Sequence, residues 1–128
     1  MKNFLTRIYY KFTFRKSHIY LEKSARVLGR DTHFEGYNKI GGNSSFHGSI
    51  GYGSYIGRNS HLNATIGKYC CISDRVYSIS GTHPTDTFVS VHPAFYSTNK
   101  QCGFSYVDEN SFSDNRKNPV DGRTAVYI

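Results

Sequence analysis

Large aliphatic and aromatic side chains recur along residues 34–78 on a beat that neither a helix nor an ordinary strand produces. Phe34, Ile40, Phe46, Ile50, Ile56, Leu62, Ile66 and Ile72 stand 6, 6, 4, 6, 6, 4 and 6 residues apart, a cycle of 16. A helix asks for apolar residues about three to four apart, and a half-buried strand asks for strict alternation. An offset of 16 pairs Phe34 with Ile50 and Ile66, Ile40 with Ile56 and Ile72, and Phe46 with Leu62 and then Ser78. The last match is weak, since Ser78 is polar and Ile79 stands one place late. The period predicts six-residue units, each a short strand and a tight turn, stacked coil on coil into a parallel β-helix.

Small residues fall where a narrow prism needs them. Gly41, Gly51, Gly57 and Gly67 each follow an inward aliphatic residue, and Ser44, Ser54, Ser60 and Cys70 take a second inward position at a corner. The four-residue steps read as shortened sides. Val27, Leu28 and Phe34 are the first inward candidates as the chain enters the solenoid. Tyr52, Tyr55, Tyr69 and Tyr77 supply bulk that a monomer leaves partly exposed and that a neighbouring subunit can cover.

Three later stretches add a family likeness. Ile66-Gly67-Lys68-Tyr69-Cys70-Cys71-Ile72-Ser73, Gly81-Thr82-His83-Pro84 and Val91-His92-Pro93-Ala94-Phe95-Tyr96-Ser97 follow the repeat in that order. With it they resemble the hexapeptide-repeat acyltransferases, in the branch of xenobiotic and capsular-polysaccharide O-acetyltransferases, over roughly residues 28–128. The resemblance implies a left-handed winding, which periodicity does not fix, and a homotrimer. It implies transfer of an acetyl group from acetyl-CoA to a hydroxyl of a sugar or polysaccharide precursor, in the cytoplasm or peripherally at the inner face of the membrane. Relatives continue into further coils and a C-terminal helix, and the acyl-CoA groove runs along those coils. By that likeness the chain looks truncated at its C-terminus, and the alternative is a non-catalytic β-helix scaffold or an inactive remnant.

The rest of the chain divides around the repeat. Over residues 1–23, Lys2, Arg7, Lys11, Arg15, Lys16 and Lys23 interleave with Phe4, Leu5, Ile8, Tyr9 and Phe12, whose spacing predicts a basic amphipathic helix. Such a helix caps the open end of a solenoid, or touches an anionic bilayer through residues 1–16. It is too short in apolar residues to be a signal peptide or a membrane span. Residues 24–80 are the solenoid coils. Residues 81–123 carry no hexad register and read as a long protruding loop, and irregular segments of that length usually serve a function. Residues 124–128 look like the start of a further coil. The expected fold class is therefore all-β: a parallel β-helix with a short N-terminal helix and a protruding active-site loop.

Composition narrows the partners. A formal charge of +7 favours an anionic ligand, and the phosphates of acetyl-CoA meet that need. Nucleic acid ranks below, because the basic residues are dispersed and no nucleic-acid motif is present. Three cysteines, Cys70, Cys71 and Cys102, make no disulfide framework and fit a reducing compartment. The six histidines and the cysteines have no metal-ligand spacing, so no metal is expected.

Acyl transfer to an alcohol needs a base for the hydroxyl proton and a donor for the oxyanion, and neutral imidazole suits the first task. The resemblance puts that base at His83, in the His-Pro turn just beyond the last hexad, with His92 in the second His-Pro as the alternative. Phe95 and Tyr96 shape the acceptor pocket or anchor the loop. Asp86 and Asp108 are of the type that orients a histidine, although nothing in the sequence brings either to one. His18, His33, His47 and His61 read as surface or subunit-contact residues.

Overall fold

The computed structural model describes residues 17–115, 122 and 124–128. It divides into two compact units, a solenoid up to Ile79 that takes in the C-terminal residues, and a loop unit, Ser80–Lys117.

The solenoid is all-β and wholly parallel, as the repeat predicts. Its strands are β1 (Tyr20–Leu21), β2 (Arg26–Val27), β3 (His33–Phe34), β4 (Lys39–Ile40), β5 (Ser45–Ile50), β6 (Tyr55–Ile56), β7 (His61–Ile66), β8 (Cys71–Ile72) and β9 (Val126–Tyr127). One sheet runs β1-β4-β6-β8 and a second β2-β5-β7-β9, with β3 also on β5. Registers confirm the 16-residue offset: Ile40 lies on Ile56, Ile56 on Ile72, Phe46 on Leu62 and Ile50 on Ile66. Those residues, with Phe34, Ala25 and Ala64, form one buried column of side chains. Stacking of like on like supplies the apolar burial that a prism this narrow lacks within any one coil.

The glycines after the inward residues allow coils to approach. A Cβ on Gly41 would stand 2.5 Å from the carbonyl of Gly57, and one on Gly51 the same distance from the carbonyl carbon of Gly67. The inward serines bind adjacent coils together. Ser44 Oγ donates to Gly57 O at 2.8 Å and accepts from Ser60 N at 3.0 Å, and Ser54 Oγ donates to Gly67 O at 2.6 Å and accepts from Cys70 N at 2.8 Å. Asn38, also fully buried, donates to Gly51 O and Ser54 O and accepts from Gly36 N. No buried side-chain nitrogen or oxygen among the described residues lacks a partner.

Three expectations change. The helix expected over residues 1–23 lies outside the described residues for 1–16, and residues 17–23 are turn and strand. Ile19 and Leu21 alternate with outward Tyr20 and pack on the core, so this stretch is the first coil rather than a helix. Its register explains why the repeat hides it: Leu21 pairs with Ile40 and Val27 with Phe46, an offset of 19 residues, and only at Phe34–Ile50 does the spacing become 16. Leu28, expected inside, is exposed because it follows inward Val27 in extended backbone and points to the other face. The four-residue step is not a separate short side either. β5 runs unbroken through it, bending at Gly48, where φ is +119° and a Cβ would strike the carbonyl of Ala64.

On the outside, Glu22 ties several coils. Its carboxylate accepts from Lys39 Nζ at 2.9 Å, Arg58 Nε at 2.7 Å and Gly42 N at 2.9 Å. The Arg58 guanidinium first, then the Lys39 ammonium and the Gly42 amide, hold its pKa down to about 2 from an ordinary 4.5.

Ile56→Ala, in the middle of the buried column, lowers unfolding stability by about 2–5 kcal/mol in chemical denaturation, whereas a loss no larger than that of a surface change contradicts stacking as the source of stability. Because the folded pKa of Glu22 is depressed, its contribution is present above 4.5 and is lost as pH falls from there towards 2. Between those limits the melting temperature of the wild type should fall towards that of Glu22→Gln, and parallel curves for the two proteins are the contrary result.

Candidate functional site

Among its described residues the loop unit has no regular strand. Its ends are joined by an antiparallel bridge between Gly81 and Asn115 and by Thr82 N donating to Asp114 O at 2.8 Å. Inside, one 3₁₀ turn, Pro93–Phe95, organises the chain. Pro93 fits its first position, having no N–H to satisfy there. Ser97 N and Tyr96 N return to Pro93 O, Tyr106 N donates to Ala94 O at 2.9 Å, and Ser111 N donates to Tyr96 O at 3.0 Å. Ser105 Oγ, hydrogen-bonded to Ser97 O at 2.8 Å and Val107 O at 3.1 Å, holds the opposite segment against the turn.

The adjacent rings of Phe95 and Tyr96 have opposite fates. Tyr96 is 1 % exposed and packs edge-on against Phe112 and Phe88, with ring centres 5.4 and 6.0 Å away. It is the apolar centre of the unit. Phe95 is half exposed and joins a surface cluster with His92, Phe104 and Tyr106. Anchoring therefore falls to Tyr96, while Phe95 remains open to a ligand.

Both candidate histidines lie in this unit, and their ring nitrogens are engaged differently. His92 caps the 3₁₀ turn: its Nδ1 accepts from Ala94 N at 3.2 Å, and its ring stacks on Phe104. An Nδ1 that accepts an amide proton leaves the neutral ring protonated on Nε2, so the outer nitrogen of His92 donates and does not accept. His83 is exposed, and its Nδ1 faces the hydroxyl of Tyr96 at 3.4 Å. A phenol both donates and accepts. With Nδ1–H given to Oη, Nε2 of the exposed His83 keeps its lone pair, the form a general base requires.

Asp86 takes a contact from Thr85 Oγ1 at 3.5 Å, and neither Asp86 nor Asp108 hydrogen-bonds His83. The polar group that His83 does meet is the Tyr96 hydroxyl. The remaining histidines sit on the solenoid: His47 between Asp31 and Asn63, His61 against Ser45 and Tyr77, His18 stacked on Tyr37, and His33 beside a shallow groove with Glu35, Ser49, Thr65 and Lys68. From Ser80 to Lys117 the sequence carries Lys100, Arg116 and Lys117 against Asp86, Asp108, Glu109 and Asp114, so the excess positive charge resides elsewhere in the chain. Among the described residues no group of three or more His, Cys, Asp or Glu is placed to hold a metal ion, and no helix is long and apolar enough to cross a membrane. Residues 1–16, with their expected bilayer contact, lie outside the described residues.

Comparison with protein-family models, curated proteins and solved structures gives no match.

The packing of Tyr96 carries a prediction. Tyr96→Ala removes the ring on which Phe88 and Phe112 rest, and should speed amide exchange at Tyr106 and Ser111 roughly a hundredfold, equivalent to ~3 kcal/mol. Solenoid amides such as Gly57, bonded to Ile72 O at 2.9 Å, should be unaffected. Equal acceleration in both units would mean that they do not fold as separate bodies.

Proposed function

We propose that this protein is an O-acetyltransferase that moves an acetyl group from acetyl-CoA to a hydroxyl of a sugar or polysaccharide precursor. His83 Nε2 takes the hydroxyl proton as the oxygen attacks the thioester carbon. The tetrahedral intermediate then expels the coenzyme A sulfur, which leaves with that proton returned from the imidazolium. No covalent enzyme intermediate is needed, and no metal takes part.

One observation carries the reading. His83, in the His-Pro turn that follows a hexapeptide-repeat solenoid in sequence, is an exposed residue whose Nδ1 meets the hydroxyl of the buried Tyr96 at 3.4 Å. The acyltransferase likeness of the sequence motifs supplies the reaction type, and the half-exposed Phe95 offers an apolar ring face to a sugar acceptor. Homotrimeric assembly, and work in the cytoplasm or at the inner membrane face, belong to the same reading.

A second reading, a non-catalytic β-helix subunit, draws on a different feature. His18, Tyr37, Tyr52 and Tyr69 form a ring-on-ring column along one corner of the solenoid, with successive centres 4.4, 5.3 and 6.0 Å apart, and its tyrosines remain exposed. Such a column suits assembly with a neighbour.

Transfer of labelled acetyl from acetyl-CoA to a panel of sugar acceptors separates the two. His83→Ala should reduce turnover by about 10²–10⁴-fold, the usual span for general-base catalysis, with the oligomeric mass unchanged. His92→Asn, which keeps a capping acceptor for Ala94 N but removes the imidazole, should retain most activity. Loss in the His92 variant alone would transfer the role, and no transfer by the wild type to any acceptor would favour the scaffold.

A further inference from the structure

We infer that Tyr96 is the positioning residue for His83: its buried hydroxyl fixes the imidazole in one tautomer and turns Nε2 outward. This deepens the acetyltransferase reading and rests on it for its functional meaning, but the geometry is independent of any substrate.

Tyr96 is held on its ring by Phe88 and Phe112, on its backbone N–H by Pro93 O, and on its carbonyl by Ser111 N. Its hydroxyl therefore has a set location. The phenolic oxygen meets His83 Nδ1 at 3.4 Å, a contact that tightens readily when a ligand orders an exposed ring. A tyrosine hydroxyl closed off from water needs a partner, and the imidazole supplies it. In return the exposed His83 ring is held on one edge. A free neutral imidazole exchanges its proton between both nitrogens. One whose Nδ1 is bonded to a fixed hydroxyl does not do so evenly, because each tautomer demands the opposite role of that hydroxyl. The sense of the bond then decides the chemistry. Nδ1–H given to Oη leaves Nε2 as a base, whereas Tyr96 O–H given to Nδ1 makes Nε2 a donor.

Long-range ¹⁵N–¹H correlation of the histidine ring nitrogens, in wild type and in Tyr96→Phe, tests this directly and without substrate. The variant removes one oxygen and keeps the ring between Phe88 and Phe112, and His83→Ala assigns the signals. We expect one dominant neutral tautomer for His83 in the wild type and a mixture in Tyr96→Phe. A dominant tautomer with the proton on Nδ1 supports both the positioning role and the general base. A dominant tautomer with the proton on Nε2, lost in the variant, supports the positioning role and overturns the base. The same mixture in both proteins overturns the positioning role, even if acetyl transfer is found. In a transfer assay the positioning role also requires Tyr96→Phe to lower kcat while leaving KM for acetyl-CoA unchanged, and a rise in KM alone would contradict it.

Discussion

Each coil of this protein leaves its inner backbone groups unsatisfied until the next coil lies in register above it. Gly41 N reaches Ile56 O, Gly57 N reaches Ile72 O and Gly51 N reaches Gly67's neighbour Ile66 O, while the serine hydroxyls at the inner corner fill the remaining positions. A shift by one residue would break these bonds and turn Ile40, Ile56 and Ile72 from the interior to the surface together. That shared register makes the fold cooperative along its axis. It also accounts for the chemistry of individual positions, such as glycine where coils nearly touch and serine where a carbonyl above needs a donor.

The loop unit obeys a different logic. Its described residues form no strand ladder, and its order comes from one buried ring, one 3₁₀ turn and three hydroxyls at Ser97, Ser105 and Tyr96. The same ring that supplies its apolar centre presents a hydroxyl to His83. Packing and site geometry are thereby joined in one residue. His92, close in sequence and motif to His83, is used instead to close the turn that creates this arrangement.

Much of the solenoid was legible because repetition converts a weak preference into a pattern: Ile40, Ile56 and Ile72 each say little, but together they set the register. The first coil was not legible, since three additional residues before Phe34 shift Leu21 and Val27 out of the 16-residue offset. Asn38 was missed for another reason, as a buried asparagine that satisfies three backbone groups reads in sequence like any turn residue. In the loop the motif pointed to His83, His92, Phe95 and Tyr96 as a group. Which of two adjacent rings turns inward, and which histidine gives its Nδ1 to a backbone amide, depends on contacts with Phe88, Phe112 and Ala94 that no local spacing encodes.

The proposed acetyl transfer requires that this chain bind its donor. Isothermal titration of the 128-residue chain with acetyl-CoA, alongside its mass by light scattering, addresses that claim before any acceptor is identified. The acetyltransferase proposal predicts a trimer with saturable heat and a dissociation constant in the micromolar range, about −8 kcal/mol. A well-folded chain that gives no heat with acetyl-CoA would contradict it.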